Sequence, residues 1–215
     1  MSFMKEVIEY SIPVWDKCVN TPFVQEMKAG TLPLEKFKNY IVQDSIYLKH
    51  YARVYGMAIY NSNLLKDIQT YYSILGFVQE TESAVRIEYL KQFGLTDDDV
   101  EHIKAEPENR AYIDFMLKYA HGGNIPEILM AVLPCMLSYG YISGKIIEEA
   151  EGQNSKYLNF IKDYSSEHYT EASKNICAFA DAKCAGASEE EKTKLKEIFK
   201  EAGVLELGFW NMSYR

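Results

Sequence analysis

The stretch FKNYIVQDSIYLKHYARVY, residues 37–55, decides the fold class. Phe37, Tyr40, Ile41, Tyr47, Leu48, Tyr51 and Tyr55 return at steps of three and four, the spacing of one helical face, and nothing alternates with the period of two of a half-buried strand. Asp44 falls on the same stripe. An unpaired carboxylate buried there costs on the order of several kcal/mol, so Asp44 needs a partner. That partner is either a neighbouring tyrosine or arginine in a structural role, or a ligand with a proton donor to offer.

Outward from this stretch, the same three- and four-residue periodicity runs through nearly the whole chain. The long helix opens at the start signal Thr31 to Pro33 and runs to about Tyr60. Before it, a helix spans Phe3 to about Val19, with Val7, Ile8, Ser11, Val14 and Trp15 on one side and Pro13 as a kink point. Asn20, Thr21 and Pro22 then start a short helix that stops near Gly30. After the break at Asn61 to Asn63, one helix is expected from Leu64 to Phe93, weakened by Gly76. Thr96 and the run Asp97 to Asp99 open a short helix, and another spans about Glu108 to Ala120, ended by Gly122 and Gly123. Asn124 and Pro126 start a helix through Glu149. The remainder reads as helices near Asn154 to Asp163, Ser165 to Ala180 and Ser188 to Tyr214. The fold class is all-α, and with no long linker, repeat or low-complexity tract, residues 1–215 are expected to form a single helical domain.

Composition narrows the function classes. A 47% hydrophobic and 25% charged chain has the makeup of a globular protein. Its net charge of −8, with no cluster of Lys and Arg, argues against nucleic acid or anionic lipid as partner. Lys5, Glu6, Glu9 and Asp16 interrupt any apolar run at the start, and no later stretch is expected to reach membrane-spanning length. Cys18, Cys135, Cys177 and Cys184 include no CxxC pair, which suits reduced thiols in a cytoplasm better than a disulfide scaffold or zinc finger. Seventeen tyrosines against ten phenylalanines put many hydroxyl-bearing rings where a polar aromatic pocket could form.

Several polar groups share the apolar stripes. In the helix after Pro126 the stripe is Leu129, Val132, Cys135, Met136, Tyr139 and Ile142, with a thiol and a phenol one turn apart and Pro134 disturbing the helix just before the thiol. A lone stripe cysteine is ordinarily a small core hydrophobe, the reading that Cys18, Cys177 and Cys184 receive; reactivity requires thiolate character and access. The last helix carries Ile198, Phe199, Ala202, Leu205, Glu206, Phe209 and Trp210, so a second carboxylate lies on or beside a buried face. Apolar surroundings raise the pKa of such a group and fit it to donate a proton, whereas an exposed edge leaves it ordinary. Tyr112 and Tyr164 also fall on apolar stripes, where a buried ring with a bonded hydroxyl is the plain alternative. A thiol, two carboxylates and several phenols from different helices could converge on one cavity of a bundle.

The segments YIVQDSIYLKHYA, NRAYIDFM, LPCMLSYGY, FIKDYSSEHY and LELGFWNMSY, spread from position 40 to 214, resemble the TenA family, or thiaminase II. The resemblance implies a haem-oxygenase-like multi-helix bundle, usually a homotetramer, hydrolysing a thiamin-related aminopyrimidine to hydroxymethylpyrimidine, with no cofactor and no metal. By motif it makes Cys135 the nucleophile and Glu206 the acid/base near a ring nitrogen. It makes Asp44 the carboxylate that grips the pyrimidine and Tyr112 the phenol beside Glu206, while Tyr139 and Tyr164 line the pocket and support the thiol. Where many members carry Phe to stack on the pyrimidine, this chain has Tyr47. Because Cys135 is present, the chain is similar to the cysteine-containing branch.

Three other readings compete. A metal-dependent oxidase of the same fold would draw on Glu82, Glu88, His50, His168 and Glu148, but Tyr89 stands seven residues after Glu82, where a histidine would be needed. Haem oxygenase activity would want a histidine on the first helix, and residues 3 to 19 contain none. A non-catalytic pyrimidine-binding or regulatory protein would keep the pocket alone, without a basic recognition helix for DNA.

Overall fold

A computed structural model describes residues 2–77 and 83–215. The described residues form helices and turns, with no strand. The helices are α1 (Phe3–Val19), α2 (Pro22–Ala29), α3 (Leu34–Tyr60), α4 (Leu65–Phe77), α5 (Ser83–Gln92), α6 (Asp97–Glu101), α7 (Pro107–Gly122), α8 (Ile125–Ile147), α9 (Ala150–Gln153), α10 (Leu158–Tyr164), α11 (Glu167–Cys184) and α12 (Glu189–Ser213).

The boundaries follow from side chains that satisfy the open backbone groups of helix ends. Thr96 and Ser188 form capping boxes with Asp99 and Glu191. Asn124 accepts from the Glu127 N–H at the start of α8, and Thr21 caps α2. Helices α2 and α7 end on Gly30 and Gly123, whose φ angles of 69° and 71° are reached without strain only by a residue lacking Cβ.

Two expectations need correction, and a third is only partly covered. The helix expected near Asn154 to Asp163 is α10 alone and starts only at Leu158, because the chain turns between Asn154 and Tyr157, whose hydroxyl donates to the Leu32 carbonyl; the short α9 just before that turn is not among the expected helices. A stretch of membrane-spanning length does exist: α8 is long and apolar enough, but 72% of its most apolar window is buried inside the protein, which makes it a core helix. The single helix expected from Leu64 to Phe93 is seen as α4 and α5; residues 78–82, and with them Glu82, lie outside the described residues.

α8 and α12 pack along each other at the centre of the bundle, and each also touches α7, α1 and α3. α10 and α11 close over α8, while α3 leans on α7, α4, α5 and α6. The buried faces of α3, α7, α8 and α12 therefore meet. Each fully buried Leu, Ile, Val or Phe on those faces stabilises the fold by roughly 1.5–3 kcal/mol, and they set polar side chains among aromatic rings.

Candidate active site

Asp44 and Tyr47 come from α3, Tyr112 from α7, Cys135 and Tyr139 from α8, Tyr164 from the last turn of α10, and Glu206 from α12. All seven are buried. Cys135 and Asp44, at 7% and 8% exposure, are the most accessible of them; Glu206 and Tyr112, at 2% and 1%, are almost wholly enclosed.

Ring contacts and shared electrostatics tie these side chains together. The Tyr47 and Tyr112 rings lie 4.9 Å apart between centroids, Tyr139 and Tyr164 likewise 4.9 Å, and Tyr139 and Trp210 5.0 Å. The Tyr40 and Tyr139 hydroxyls are 2.9 Å apart. Burial first, then Tyr40, Glu206, Asp44 and Cys135, push the Tyr139 phenol well above its ordinary pKa. Burial first, then Cys135, Tyr112, Glu206 and Tyr51, do the same for Tyr47. One phenol thus feels the thiol and both carboxylates, which arrive on three different helices.

The Tyr112 hydroxyl is enclosed without a well-aligned hydrogen bond. It nevertheless lies against Glu206 and Tyr47, and its pKa is raised by burial and then by Glu206 and Cys135, while the Tyr47 hydroxyl pulls it down. The Tyr112 hydroxyl is thus set between the Glu206 carboxyl group and the Tyr47 hydroxyl.

The local structure around Cys135 follows from Pro134, which has no N–H to give within α8. In the following turn Ser138 Oγ donates to the Cys135 carbonyl at 3.3 Å, and the Tyr169 hydroxyl donates to the Met136 carbonyl at 2.9 Å. Side chains thus supplement the helical bonding where the sulfur projects. The other thiols differ. Burial, reinforced by Glu206, drives Cys18 far above the ordinary thiol range, and burial, then Asp181, raises Cys177 and Cys184 to about 11. These suit packing rather than reaction.

Asp44 occupies the least settled position. Burial raises its pKa to about 7 against the opposing pull of Arg86, and no hydrogen bond from a described residue reaches its carboxylate. Next to it the Tyr47 hydroxyl donates to Met116 Sδ at 3.2 Å, which turns the extra oxygen into the core.

Among the described residues, no group of three or more His, Cys, Asp or Glu side chains is gathered so as to hold a metal ion. Glu88, Glu148 and His168 are exposed.

Residues 11–215 match the model of the TENA/THI-4/PQQC family. The chain belongs to this family. Among its relatives, an aminopyrimidine aminohydrolase of Halalkalibacterium halodurans is 32% identical over 216 aligned residues, covering all of this chain and 96% of the relative. One of Bacillus subtilis is 29% identical, covering all of this chain and 91% of the other. The solved structure of a TenA homologue protein from P. horikoshii OT3 superposes with a TM-score of 0.89 at 28% identity, over all of this chain and 99% of the other.

Within this TENA/THI-4/PQQC chain, sequence reasoning left out three neighbours of the site. Tyr40 and Trp210 stand one turn from Asp44 and Glu206 on the same stripes, and their rings stack at 5.5 Å; helical spacing alone could have found them. Arg86 could not be found that way, because it comes to Asp44 from a separate helix.

Proposed function

We propose that this protein is an aminopyrimidine aminohydrolase of the thiaminase II type, with Cys135 as nucleophile. The carrying observation is that Tyr139 lies within electrostatic reach of Cys135, Glu206 and Asp44 at once, so a thiol and two carboxylates from three helices surround one buried phenol. The full-length relatives, aminopyrimidine aminohydrolases, supply the substrate class.

In this reading the whole chain acts as one domain. Asp44 accepts from the exocyclic amine of the pyrimidine, the Tyr47 face covers the ring, and Tyr139 and Tyr164 wall the thiol side. Sulfur 135 adds to a ring carbon; the displaced electron pair moves to a ring nitrogen, which takes a proton from Glu206 beside Tyr112. The adduct expels the group on the exocyclic methylene, either an amine or a thiazolium. Water adds at that methylene, and departure of Cys135 restores the aromatic ring. The product is hydroxymethylpyrimidine, fit for thiamin salvage, and the route needs neither metal nor cofactor.

A cytoplasmic homotetramer belongs to the same reading. It is supported by the exposed Tyr60, Leu64, Leu65 and Tyr72 around the α3–α4 turn, and light scattering at the mass of one chain would remove it.

Steady-state kinetics on thiamin and on the aminomethyl-aminopyrimidine, run side by side, test the activity and rank the substrates. Cys135→Ala is expected to fold normally, because the side chain contributes little volume, and to lose turnover by roughly a thousandfold or more. Near-normal hydrolysis by that variant would remove the covalent route.

A further inference from the structure

We propose that Arg86 is a positioning residue for this site: its guanidinium, anchored between Ser45 and Asp97, is the counter-charge that fits the buried Asp44 to receive the pyrimidine amine. The inference rests on the aminopyrimidine reading above and adds a residue to it.

The anchoring has a defined polarity. Arg86 Nη1 donates to Ser45 Oγ at 2.9 Å and to Asp97 Oδ1 at 3.0 Å. Ser45 spends its own proton on the Ile41 carbonyl at 2.7 Å, so its oxygen is left to accept from the arginine. Ser45 is the residue after Asp44, and this bond therefore ties α5 to α3 at the height of the carboxylate. Arg86 Nε is buried without a hydrogen-bond partner among the described residues. The guanidinium is thus only partly used by its anchors, and its side chain is 13% exposed.

Electrostatics fit this arrangement. Among the described residues, the groups that act on or feel Asp44 are the Arg86 cation from α5 and the neutral phenol of Tyr139 from α8. Asp97, at the start of α6, pairs with Arg86 and is 66% exposed, so water screens it more than the buried carboxylate. Burial works against an anionic Asp44, and Arg86 is the group that opposes it. An amine donor binds an anionic carboxylate much better than a neutral carboxyl group, because the neutral form must give up one of its acceptor sites to its own proton.

Kinetics on Arg86→Gln and Arg86→Lys between about pH 5.5 and 8.5 test the proposal. For Arg86→Gln we expect KM at neutral pH to rise about tenfold with kcat within about twofold, and the acidic limb of kcat/KM to move to higher pH by about one unit. Arg86→Lys should recover most of the loss, which a merely structural contact would not predict. Asp97→Asn, on an exposed side chain, frees the cation and should move the same limb to lower pH; this arm holds even if Arg86→Gln folds poorly. An unchanged limb in Asp97→Asn and in any folded Arg86→Gln overturns the proposal, as does an Arg86→Lys defect as large as that of Arg86→Gln. Asp44 carboxyl titration by 13C NMR in the ligand-free protein separates the two failures. A wild type without aminopyrimidine turnover overturns the functional reading even if Asp44 titrates higher in Arg86→Gln. An active wild type whose Asp44 titrates as in Arg86→Gln overturns the arginine's role alone.

Discussion

Gln43 and Asp44 are neighbours on α3 and are both buried, at 2% and 8% exposure, yet their surroundings are opposite. Gln43 is locked. Its Nε2 donates to the Lys104 carbonyl at 3.2 Å, its Oε1 accepts from the Glu106 N–H and from Asn109 Nδ2, both at 2.9 Å, and its backbone carbonyl accepts from Asn109 Nδ2 at 2.8 Å. Among the described residues, Asp44 receives no hydrogen bond and the opposing charge is the Arg86 cation. A saturated buried polar group joins helices; one left with spare acceptor capacity keeps it for a ligand in the reading proposed above.

The largest expected effect lies at the second acid of the site. Glu206→Gln keeps the shape of the side chain and removes its transferable proton. The expected result is retained ligand binding with kcat lower by roughly 10²- to 10⁴-fold. A pH–rate profile unchanged in position and height would place Glu206 with Gln43, as a structural group. On the saturated side the effect should be on stability. Gln43→Leu strands the Glu106 N–H, the Lys104 carbonyl and part of Asn109, and is expected to cost about 2–4 kcal/mol of unfolding free energy in denaturant titration. Because Gln43 holds the α6–α7 loop to α3 and touches no site group, kcat of the folded fraction should stay within about twofold. A loss of kcat with no loss of stability would dissolve the contrast between the neighbours.

The contrast also separates what the sequence makes legible from what it does not. Capping signals at Thr21, Thr96, Asn124 and Ser188 and the glycines at 30 and 123 place helix ends, because each acts on backbone groups within a few residues of itself. The stripe positions of Asp44, Cys135 and Glu206 are legible for the same reason: spacing along one helix fixes a face. Whether that face is saturated is set by other helices. Asn109 reaches Gln43 from α7 and Arg86 reaches Ser45 from α5, and no local pattern near position 43 or 44 announces either. The late start of α10 escaped for a related reason, since the turn before it is held by Tyr157 bonding to Leu32 and Ser155 Oγ bonding to the Met27 carbonyl, both far away in the chain.

The smallest effect, and the most direct test of Asp44, concerns its charge. Burial raises its pKa from 3.8 to about 7, so the folded protein holds this proton more tightly than the unfolded chain does. The stabilisation from that proton is fully present below the unfolded value of 3.8 and is lost as pH rises through about 7. Above that pH the folded protein carries a buried anion, offset among the described residues by Arg86. Asp44→Asn removes the anion while keeping the shape. Its stability relative to the parent should therefore be lowest at acid pH and should climb through the window up to about pH 7. The gain should level off at roughly 1–3 kcal/mol, below the full electrostatic cost because the amide also lacks partners. Melting temperatures of parent and variant, compared from about pH 4.5 to 8, read this difference directly. A gap that is flat with pH, or widest at the acid end, would mean that Asp44 is already paired in the folded protein and is as saturated as Gln43. A gap that opens toward alkaline pH, together with weakened aminopyrimidine binding, would mean that the fold tolerates an uncompensated acid at this position because its partner is the substrate.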